Sequence, residues 1–433
     1  MTKMLSGFQR CILLLAELLT IKLSNLHCHA LSVTSTPFTS KNRIPILFDN
    51  SNHLHRSIQY HPEQPARIEA CVAALQEYQL RNDQDKQRSI QLIDVDNSPA
   101  GTGSTKDAKK NKGTILHQPV SQQELDRARS ALLQIHDSTL VTNLEAKCRN
   151  SRQRRLEEGK DALGFVGYID DDTYVTTETF DVCLRATAVW MRAVDYICSA
   201  SSSQSSLPST SHDCQNVPPI AIALTRPPGH HATTNMSNGF CLFNFTAAAA
   251  KHYQELATTA NSTTPKISIL DWDVHFGQGV ADIVSKDSEN IRYASIHQVP
   301  AFPYMGTTRQ VQHGNIYTIP IVAETTWTCG YQQKFQEALD FLFARNDGWD
   351  PDLVIVCAGY DALDSDELAS VNLNAKDYGT MTQALLERVK QSSKANIGLL
   401  LGLEGGYQLG PMAGGGNLQQ AVVETVKALV GSD

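Results

Sequence analysis

The chain has 433 residues, of which 41% are hydrophobic, and this content is enough to bury the core of one large α/β domain. Its 37 basic and 45 acidic side chains give a net charge of −8, which disfavours direct binding of nucleic acid and tolerates basic partners. The ten cysteines form no Cys-x-x-Cys pair, so they indicate reduced thiols.

The first 42 residues predict a targeting or disordered segment. Basic residues precede an apolar stretch from Cys11 to Leu23, which Glu17 interrupts, and no acidic residue follows until Asp49. Serine and threonine are frequent here. An organellar transit sequence, for a plastid or a mitochondrion, fits this pattern better than a membrane span, which needs about 20 clean apolar residues. A disordered tail, with the nucleus or cytoplasm as location, is the alternative.

Residues 43–433 predict one α/β domain, a three-layer structure with a parallel sheet and helices on both faces. Two polar segments, near 98–113 and 199–219, predict flexible surface insertions. Helical periodicity occurs in five segments: Pro65 to Tyr78, Phe180 to Ser199, Phe245 to Ala257, Gly330 to Arg345 and Leu418 to Val430. Buried strands are predicted at Ile220 to Leu224, Ile267 to Leu270, Leu353 to Cys357 and Ile397 to Leu403.

The strand predicted at Ile220 to Leu224 breaks on two prolines and a glycine and is followed by two adjacent histidines, His230 and His231. Neighbouring imidazoles can act as a proton-transfer pair, because a carboxylate beside one keeps it charged while the other works as a base. Taken alone, a His-His pair is more often a surface feature or a fortuitous metal site.

Asp271, Asp273 and His275 alternate at the end of the next predicted strand, which aims all three side chains in one direction. Asp and His suit a divalent ion such as zinc, and a catalytic zinc keeps three protein ligands and an open position, so a further ligand must come from elsewhere. A polar loop after a strand is the alternative. The metal site is favoured because α/β sheets place active sites at the carboxyl ends of their strands.

Two later strands also end in candidate functional residues. Asp361 follows Leu353 to Cys357 and is the candidate for the third metal ligand, with a helix N-cap as the alternative. The strand Ile397 to Leu403 runs into Glu404, and the paired glycines after it let the backbone approach a pocket and present Tyr407. A tyrosine in this position can polarise a carbonyl.

In this order, the four clusters resemble the zinc-dependent histone deacetylase and acetylpolyamine amidohydrolase family, on its class II side, within the arginase-like fold. The resemblance spans roughly Arg43 to the C-terminus. It rests on several independent motifs: His61-Pro62-Glu63 with Arg67, Ile135-His136, Arg226 to Ala232, Gly239-Phe240-Cys241, Asp271 to Gly279, Ser295-Ile296-His297, Asp361, and Leu403 to Tyr407. It implies a zinc-dependent deacetylase that acts on acetyl-lysine in histones, as a chromatin regulator would, or in other proteins, with an acetylated polyamine as the alternative substrate.

The resemblance also implies the metal ligands. Asp273, His275 and Asp361 correspond to the residues that hold one zinc ion in each chain. A structural potassium ion is implied beside the zinc, near Asp271, Asp273, His275, Ser295 and Ile296, the last through its backbone oxygen only.

Catalytic roles carry over by position in the same way. The resemblance implies that His231 takes a proton from the attacking water and that Tyr407 stabilises the oxyanion at the acetyl carbonyl. His230, paired with Asp271, contributes positive charge or a later proton to the leaving amine.

Gly239, Phe240 and Phe302 correspond to the family's tunnel, where two facing rings make a narrow apolar slot for a lysine stem. Outside it, three acidic residues at 170–172 suggest an acidic rim that recognises the second ammonium of a polyamine.

Two positions depart from the family pattern. Phe276 stands where a second histidine is usual, and Gln278 stands where Asp or Asn orients the second catalytic imidazole. Glutamine has the right acceptor oxygen but one methylene more than Asp or Asn. Whether Gln278 can orient His231 is therefore the expectation that most needs a test. A catalytically impaired, zinc-containing binding protein is therefore the alternative to an enzyme. A manganese ureohydrolase is disfavoured, because the single Asp-x-Asp-x-His motif is too sparse for two metal ions.

Overall fold

The computed structural model describes residues 43–82, 89–96, 115–205, 218–261, 264–394, 396–410 and 416–431. Its strands are β1 Arg43–Phe48, β2 Ser89–Asp94, β3 Ile115–His117, β4 Phe165–Tyr168, β5 Tyr174–Thr176, β6 Ile220–Leu224, β7 Ile267–Asp271, β8 Ile291–Gln298, β9 Gln310–Gln312, β10 Ile316–Ile321, β11 Leu353–Ala358 and β12 Gly398–Leu403. Its α-helices are α1 Ala66–Asn82, α2 Gln122–Ile135, α3 Ser138–Glu157, α4 Thr179–Ser205, α5 Phe245–Asn261, α6 Gln278–Val284, α7 Tyr331–Leu342, α8 Ala375–Lys390 and α9 Leu418–Val430.

Ten of the strands form one sheet in the order β3-β2-β1-β6-β12-β11-β7-β8-β10-β9, and β4 pairs with β5 in a separate hairpin. Every neighbouring pair in the large sheet is parallel except β10 with the edge strand β9. The four central strands β6, β12, β11 and β7 are buried along their whole length, as expected for parallel strands that are covered on both faces. The predicted parallel α/β sheet is confirmed.

The two faces of β12 show how the helices divide into layers. Leu399, Leu401 and Leu403 join the main apolar core with side chains from α1, α7, α8 and α9. The alternate positions Gly398 and Gly402 face α4 instead. Because successive residues of a strand point to opposite faces, helices cover the sheet on both sides.

The predicted elements match the structure at their centres, and most of them differ from it at one or both ends. The helix at Leu418–Val430 has the predicted bounds, and its capping box from Asn417 to Gln420 explains why it starts there. Helix α4 runs to Ser205, seven residues into the segment predicted as a serine-rich insertion. The rest of that segment as far as residue 217, the insertion near 98–113 and the targeting segment lie outside the described residues. None of the helices that the structure describes is long and apolar enough to cross a membrane.

Helix α4 packs on the sheet through Trp190, which is fully buried and donates its indole N–H to Thr225 Oγ1 at 2.9 Å. The indole lies over Gly402, where an added Cβ would come within 1.8 Å of Trp190 Cη2. The strand must therefore carry glycine at this position for the helix to approach so closely.

We expect Gly402→Ala to lower the free energy of unfolding by about 1–3 kcal/mol, because the new methyl group overpacks the contact with Trp190. Gly410→Ala is the matched control, since among the described residues its Cβ would meet only Gln408 Oε1, at 3.4 Å, and we expect a change within about 0.5 kcal/mol. Urea unfolding of both variants measures the difference. Equal stability of the two variants would contradict the packing argument.

Candidate functional site

The four strands that end in the sequence clusters are direct neighbours, in the order β6, β12, β11, β7. Their carboxyl ends lie at one edge of the sheet because all four run parallel. This edge brings together the loops that carry His230 and His231, Tyr407, Asp361, and the segment Asp271 to His275. The site is thus assembled from loops that are far apart in the chain.

Asp273, His275 and Asp361 form a buried cluster whose possible ligand atoms all lie within 4.8 Å of one another. His275 Nδ1 is 3.3 Å from Asp273 Oδ1 and 3.1 Å from Asp361 Oδ2. Backbone amides hold both carboxylates in place, since Gly405 N donates to Asp273 Oδ2 and Val274 N donates to Asp361 Oδ1, each at 2.8 Å. The third candidate ligand from the sequence therefore lies beside the first two.

Two glycines allow the carboxylates to approach the backbone so closely. A Cβ at Gly359 would lie 2.1 Å from Asp273 Oδ2, and a Cβ at Gly405 would lie 2.1 Å from Asp361 Oδ2. Any larger residue at either position would displace a carboxylate, so these glycines form the walls of the cluster.

The cluster concentrates buried negative charge, because Asp271, Asp273 and Asp361 are fully buried. Within the described ranges, the ion-pair partners of these carboxylates are His230 and His275, with no lysine or arginine. Burial raises the pKa of Asp273, but the two imidazoles outweigh it and hold that pKa below its usual value. Burial likewise disfavours a charged His275, yet the carboxylates raise the pKa of His275 well above its ordinary value. The site therefore attracts positive charge between its three ligand atoms, and this donor set fits a divalent cation such as zinc.

The adjacent histidines face different partners. His230 Nδ1 lies 3.1 Å from Asp271 Oδ2, an oxygen that also accepts a hydrogen bond from Tyr293 at 2.7 Å. Burial lowers the pKa of His230, but Asp273 and Asp271 outweigh it and raise that pKa to about 10. For His231, burial and the neighbouring positive His230 both lower the pKa well below its ordinary value. One imidazole of the pair is thus held charged and the other neutral.

Gln278 reaches His231 in spite of its extra methylene, with Oε1 2.6 Å from His231 Nδ1. It lies at the first position of α6, beside Gly279, where a Cβ would come within 2.3 Å of the carbonyl oxygen of Ala232. The start of α6 therefore lies directly against the His231 loop. Gln278 also donates through Nε2 to Asn238 Oδ1 at 2.7 Å, a contact that sequence reasoning missed.

The predicted tunnel residues lie beside the two proposed catalytic side chains. The ring of Phe302 packs edge-on against His231 at 4.9 Å between centroids, and the ring of Phe240 packs edge-on against Tyr407 at 5.7 Å. Gly239 has a positive φ of 56°, and a Cβ there would lie 2.6 Å from Phe302 and 2.7 Å from His231. Phe302 remains 38% exposed, so its ring faces solvent as well as the site.

Tyr407 is held by Asp366 and by Arg67. Its backbone N–H donates to Asp366 Oδ2 at 2.7 Å, and the guanidinium of Arg67 lies 4.6 Å from the centre of its ring. Arg67 also donates to the backbone oxygens of Gly406 and Glu404, so it fixes the loop on both sides of Gly405. The sequence points to Arg67 only as part of a motif and does not point to Asp366 at all. Both residues bind backbone groups that are distant in the chain, and local sequence does not reveal such partners.

A buried ion pair between Arg226 and Glu63 anchors the loop that follows β6. Arg226 Nε donates to Glu63 Oε1 at 2.6 Å, and both side chains are fully buried with Tyr174 and His55 around them. Burial raises the pKa of Glu63, but Arg226 foremost and His55 outweigh it and lower that pKa to about 2. Removal of one partner would leave a buried uncompensated charge, which is strongly destabilising.

The residues expected around a potassium ion also lie together. The parallel register of β7 and β8 pairs Asp271 with Ser295, and Ile296 follows directly. All three are buried, and Asp273 and His275 follow in the loop after β7. Ser295 Oγ bonds His297 Nδ1 at 2.9 Å.

Folding stability is expected to fall as the pH drops from about 6.5 toward 4. Burial lowers the pKa of His55 to about 3 and that of His136 to about 4, from an ordinary value of 6.5. In this window the unfolded chain binds up to two more protons than the folded chain at these positions. Each excess proton lowers the free energy of unfolding by about 1.4 kcal/mol per pH unit.

Urea unfolding between about pH 7 and pH 5 measures this slope. We expect His55→Gln and His136→Gln each to lower the slope by the equivalent of about one bound proton, or about 1.4 kcal/mol per pH unit. A slope that neither buried substitution alters would contradict this origin of the acid sensitivity.

Comparison with known proteins places the chain in a family. The family model described as "Histone deacetylase domain" matches residues 61–417, which is most of the chain. An uncharacterized protein of Synechocystis sp. is 36% identical over 266 residues, which cover 61% of this chain and 74% of that protein. The protein named "Histone deacetylase 14, chloroplastic" of Arabidopsis thaliana is 28% identical over 396 residues, which cover 90% of this chain and 77% of that protein.

Among solved structures, the crystal structure of the HDA15 HD domain matches with a TM-score of 0.61 and 22% identity over 90% of each chain. At this identity the likeness shows the fold alone, and it agrees with the arginase-like α/β architecture expected from the sequence.

Proposed function

The chain belongs to the histone deacetylase family, and we propose that it hydrolyses the acetyl amide of acetyl-lysine side chains in proteins with the help of one bound zinc ion. Membership of the family supports a hydrolase that acts on amides. The observation that carries the proposal is the buried cluster of Asp273, His275 and Asp361 beside a pair of histidines with opposite protonation preferences.

Asp273, His275 and Asp361 would hold the zinc ion, because the cluster offers three borderline-to-hard donors and no competing lysine or arginine within the described ranges. When bound, the ion supplies Lewis-acid polarisation of the acetyl carbonyl and of the attacking water. A potassium ion near Asp271 and Ser295 is a further part of this proposal, supported by their register between β7 and β8.

The protein's own groups divide the proton transfers between them. His231 has its Nδ1 engaged by Gln278, so its Nε2 is the nitrogen available to accept the proton of the attacking water. His230 stays positively charged beside Asp271 and is suited to give a proton to the leaving amine. Tyr407, which is buried and held by Arg67, donates a hydrogen bond from its hydroxyl group to the oxyanion.

The contact between Gln278 and His231 bears on the alternative of an impaired binding protein. That alternative rested on the departures at 276 and 278. Gln278 Oε1 makes the hydrogen bond that a shorter residue would make, at 2.6 Å, and Phe276 packs against His297 with ring centroids 4.9 Å apart. Both observations support a working base.

Phe302 packs against His231 and Phe240 packs against Tyr407, which supports the proposal that the two rings line a narrow slot for a long, unbranched amine. The three acidic residues at 170–172 present fewer unengaged carboxylates to a polyamine than the sequence suggests. The carboxylate of Asp170 accepts hydrogen bonds from Thr173 in its own loop and from Gly239 N in the loop between β6 and α5. Asp171 and Asp172 remain exposed. The proposal therefore favours a lysine side chain, with acetylated polyamines as the alternative to be measured.

A plastid is the proposed location. The relative from Arabidopsis thaliana is named chloroplastic, and the serine- and threonine-rich first 42 residues with few acids are compatible with a transit sequence.

We expect the purified chain to contain about one zinc ion and Asp361→Asn to lose most of it, because the substitution removes one of the two carboxylate ligands. Asp364→Asn is the matched control, since it makes the same change three residues away at an exposed position. Elemental analysis by mass spectrometry after dialysis measures the content. Retention of zinc by Asp361→Asn would contradict the assignment of this ligand.

We expect the zinc-loaded chain to release acetate from an acetyl-lysine peptide, and Tyr407→Phe to lower kcat by about 100-fold or more, because an oxyanion donor is lost while the slot keeps its shape. A fluorimetric peptide assay measures turnover, with N-acetylspermidine in parallel. Tyr304→Phe, the same exchange at an exposed tyrosine, is the control. A folded, zinc-containing protein that is inert on both substrates would refute the proposed activity.

A further inference from the structure

We propose that Asn238 is a positioning residue of the active site, which acts through Gln278 to determine which nitrogen of His231 carries the proton. The inference rests on the proposed function in so far as His231 is the general base. Asn238 belongs to none of the motifs that identify the family in this sequence. Within the described part of the chain, its side chain makes its hydrogen bonds to His231 O and to Gln278, and none to the metal-ligand cluster.

The three residues form a closed circuit of hydrogen bonds. The circuit starts at the backbone oxygen of His231, which can only accept, and Asn238 Nδ2 donates to it at 3.1 Å. Asn238 must therefore turn its Oδ1 the other way, where it accepts from Gln278 Nε2 at 2.7 Å. Gln278 is left with Oε1 facing His231 Nδ1 at 2.6 Å.

An oxygen at this position accepts, so Nδ1 of His231 carries the hydrogen and Nε2 is left with its lone pair. The backbone carbonyl of the base thus sets the tautomer of its own ring through two side-chain amides. Since the donors and acceptors alternate around the whole circuit, reversing any one amide would place two donors or two acceptors against each other.

This chain needs such a second residue because Gln278 is an amide. A carboxylate has two acceptor oxygens and orients an imidazole whichever way it turns, whereas an amide can present either its oxygen or its NH2 group. With the NH2 group toward the ring, Gln278 would stabilise the tautomer that has its hydrogen on Nε2, the nitrogen that must accept a proton. Asn238 excludes that orientation.

The loop around Asn238 is built to hold it. Its backbone N–H donates to Cys241 O at 3.0 Å and its backbone oxygen accepts from Cys241 N at 2.9 Å, so the residue sits in a tight, buried turn. Gly239, the next residue, takes a positive φ and lies against His231 and Phe302. The same turn therefore supplies one side of the slot and the amide that orients Gln278.

A double-mutant cycle separates positioning from a merely structural role. We expect Asn238→Leu to lower kcat for an acetyl-lysine peptide by about 10- to 100-fold with KM changed less than about twofold, because the base loses its orientation and the slot keeps its walls. In the Gln278→Glu background the same substitution is expected to leave kcat unchanged or to raise it. The introduced carboxylate needs no orienting partner, and Asn238 Oδ1 would repel it.

The matched control is Asn235→Leu, which makes the same exchange at an exposed position in the same loop and is expected to leave kcat unchanged. Thermal unfolding of each variant verifies that it is folded. An equal loss of kcat from Asn238→Leu in both backgrounds, or no loss in the wild-type background, would overturn the proposal.

Nitrogen NMR of ring-labelled histidine tests the tautomer without any turnover, with the His231 signals assigned by comparison with His231→Gln. The zinc-loaded wild type is expected to show His231 protonated at Nδ1, and Asn238→Leu to shift it toward a mixture of tautomers. A wild-type ring protonated at Nε2, or a spectrum that Asn238→Leu leaves unchanged, would refute the positioning role. If the spectra behave as expected while no acyl substrate is turned over, the proposed function fails and the positioning role stands.

Discussion

Buried negative charge at the carboxyl edge of the sheet is the constraint on which the site depends. Asp271, Asp273 and Asp361 are fully buried, and isolated carboxylates are costly to remove from water. In the described structure, the imidazoles of His230 and His275 lie beside these carboxylates. The backbone N–H groups of Val274 and Gly405 donate hydrogen bonds to Asp361 and Asp273. This arrangement is favourable when positive charge occupies the space between the ligand atoms, and it is the physical reason that the cluster suits a divalent ion.

The close approach of backbone to side chain is the second constraint, and glycine meets it at each critical point. Gly359 and Gly405 leave room for the carboxylates, and Gly402 leaves room for the indole of Trp190 on the opposite face of the sheet from the main core. Packing at such distances places the catalytic loops with little freedom, since protein interiors are close-packed and transmit displacements.

Around the cluster, polar side chains outside the ligand set hold the loops that carry Tyr407 and the two adjacent histidines. Arg67 holds the loop of Tyr407 through backbone oxygens, and the pair of Arg226 and Glu63 holds the loop of the histidines. Gln278 departs from the family pattern at its position but still makes a hydrogen bond to His231. Its amide lies between His231 and Asn238, accepting from His231 Nδ1 at 2.6 Å and donating to Asn238 Oδ1 at 2.7 Å.

The amino-acid sequence by itself determined the central strands, five of the helices to within a few residues at most ends, and the residue types of the site. These features follow from local rules, since burial alternation, prolines, glycines and caps act over a few neighbouring residues. The same local reasoning left out the outer strands, such as β2 and β10, and α2, α3 and α8, whose patterns are less distinct. It assigned Asp361 to the metal cluster from its place after a strand and from the resemblance.

Only the tertiary structure decided which strand ends are neighbours and which polar groups meet. The order β6, β12, β11, β7 is set by pairing between distant segments, and it alone brings Asp273 and Asp361 within reach of one histidine. Asn238 and Gln278 are 40 residues apart, and Arg67 and Gly406 are 339 apart. Hydrogen-bond partners at such separations depend on the path of the whole chain, because donors and acceptors recognise distance and direction in space, which local sequence does not encode.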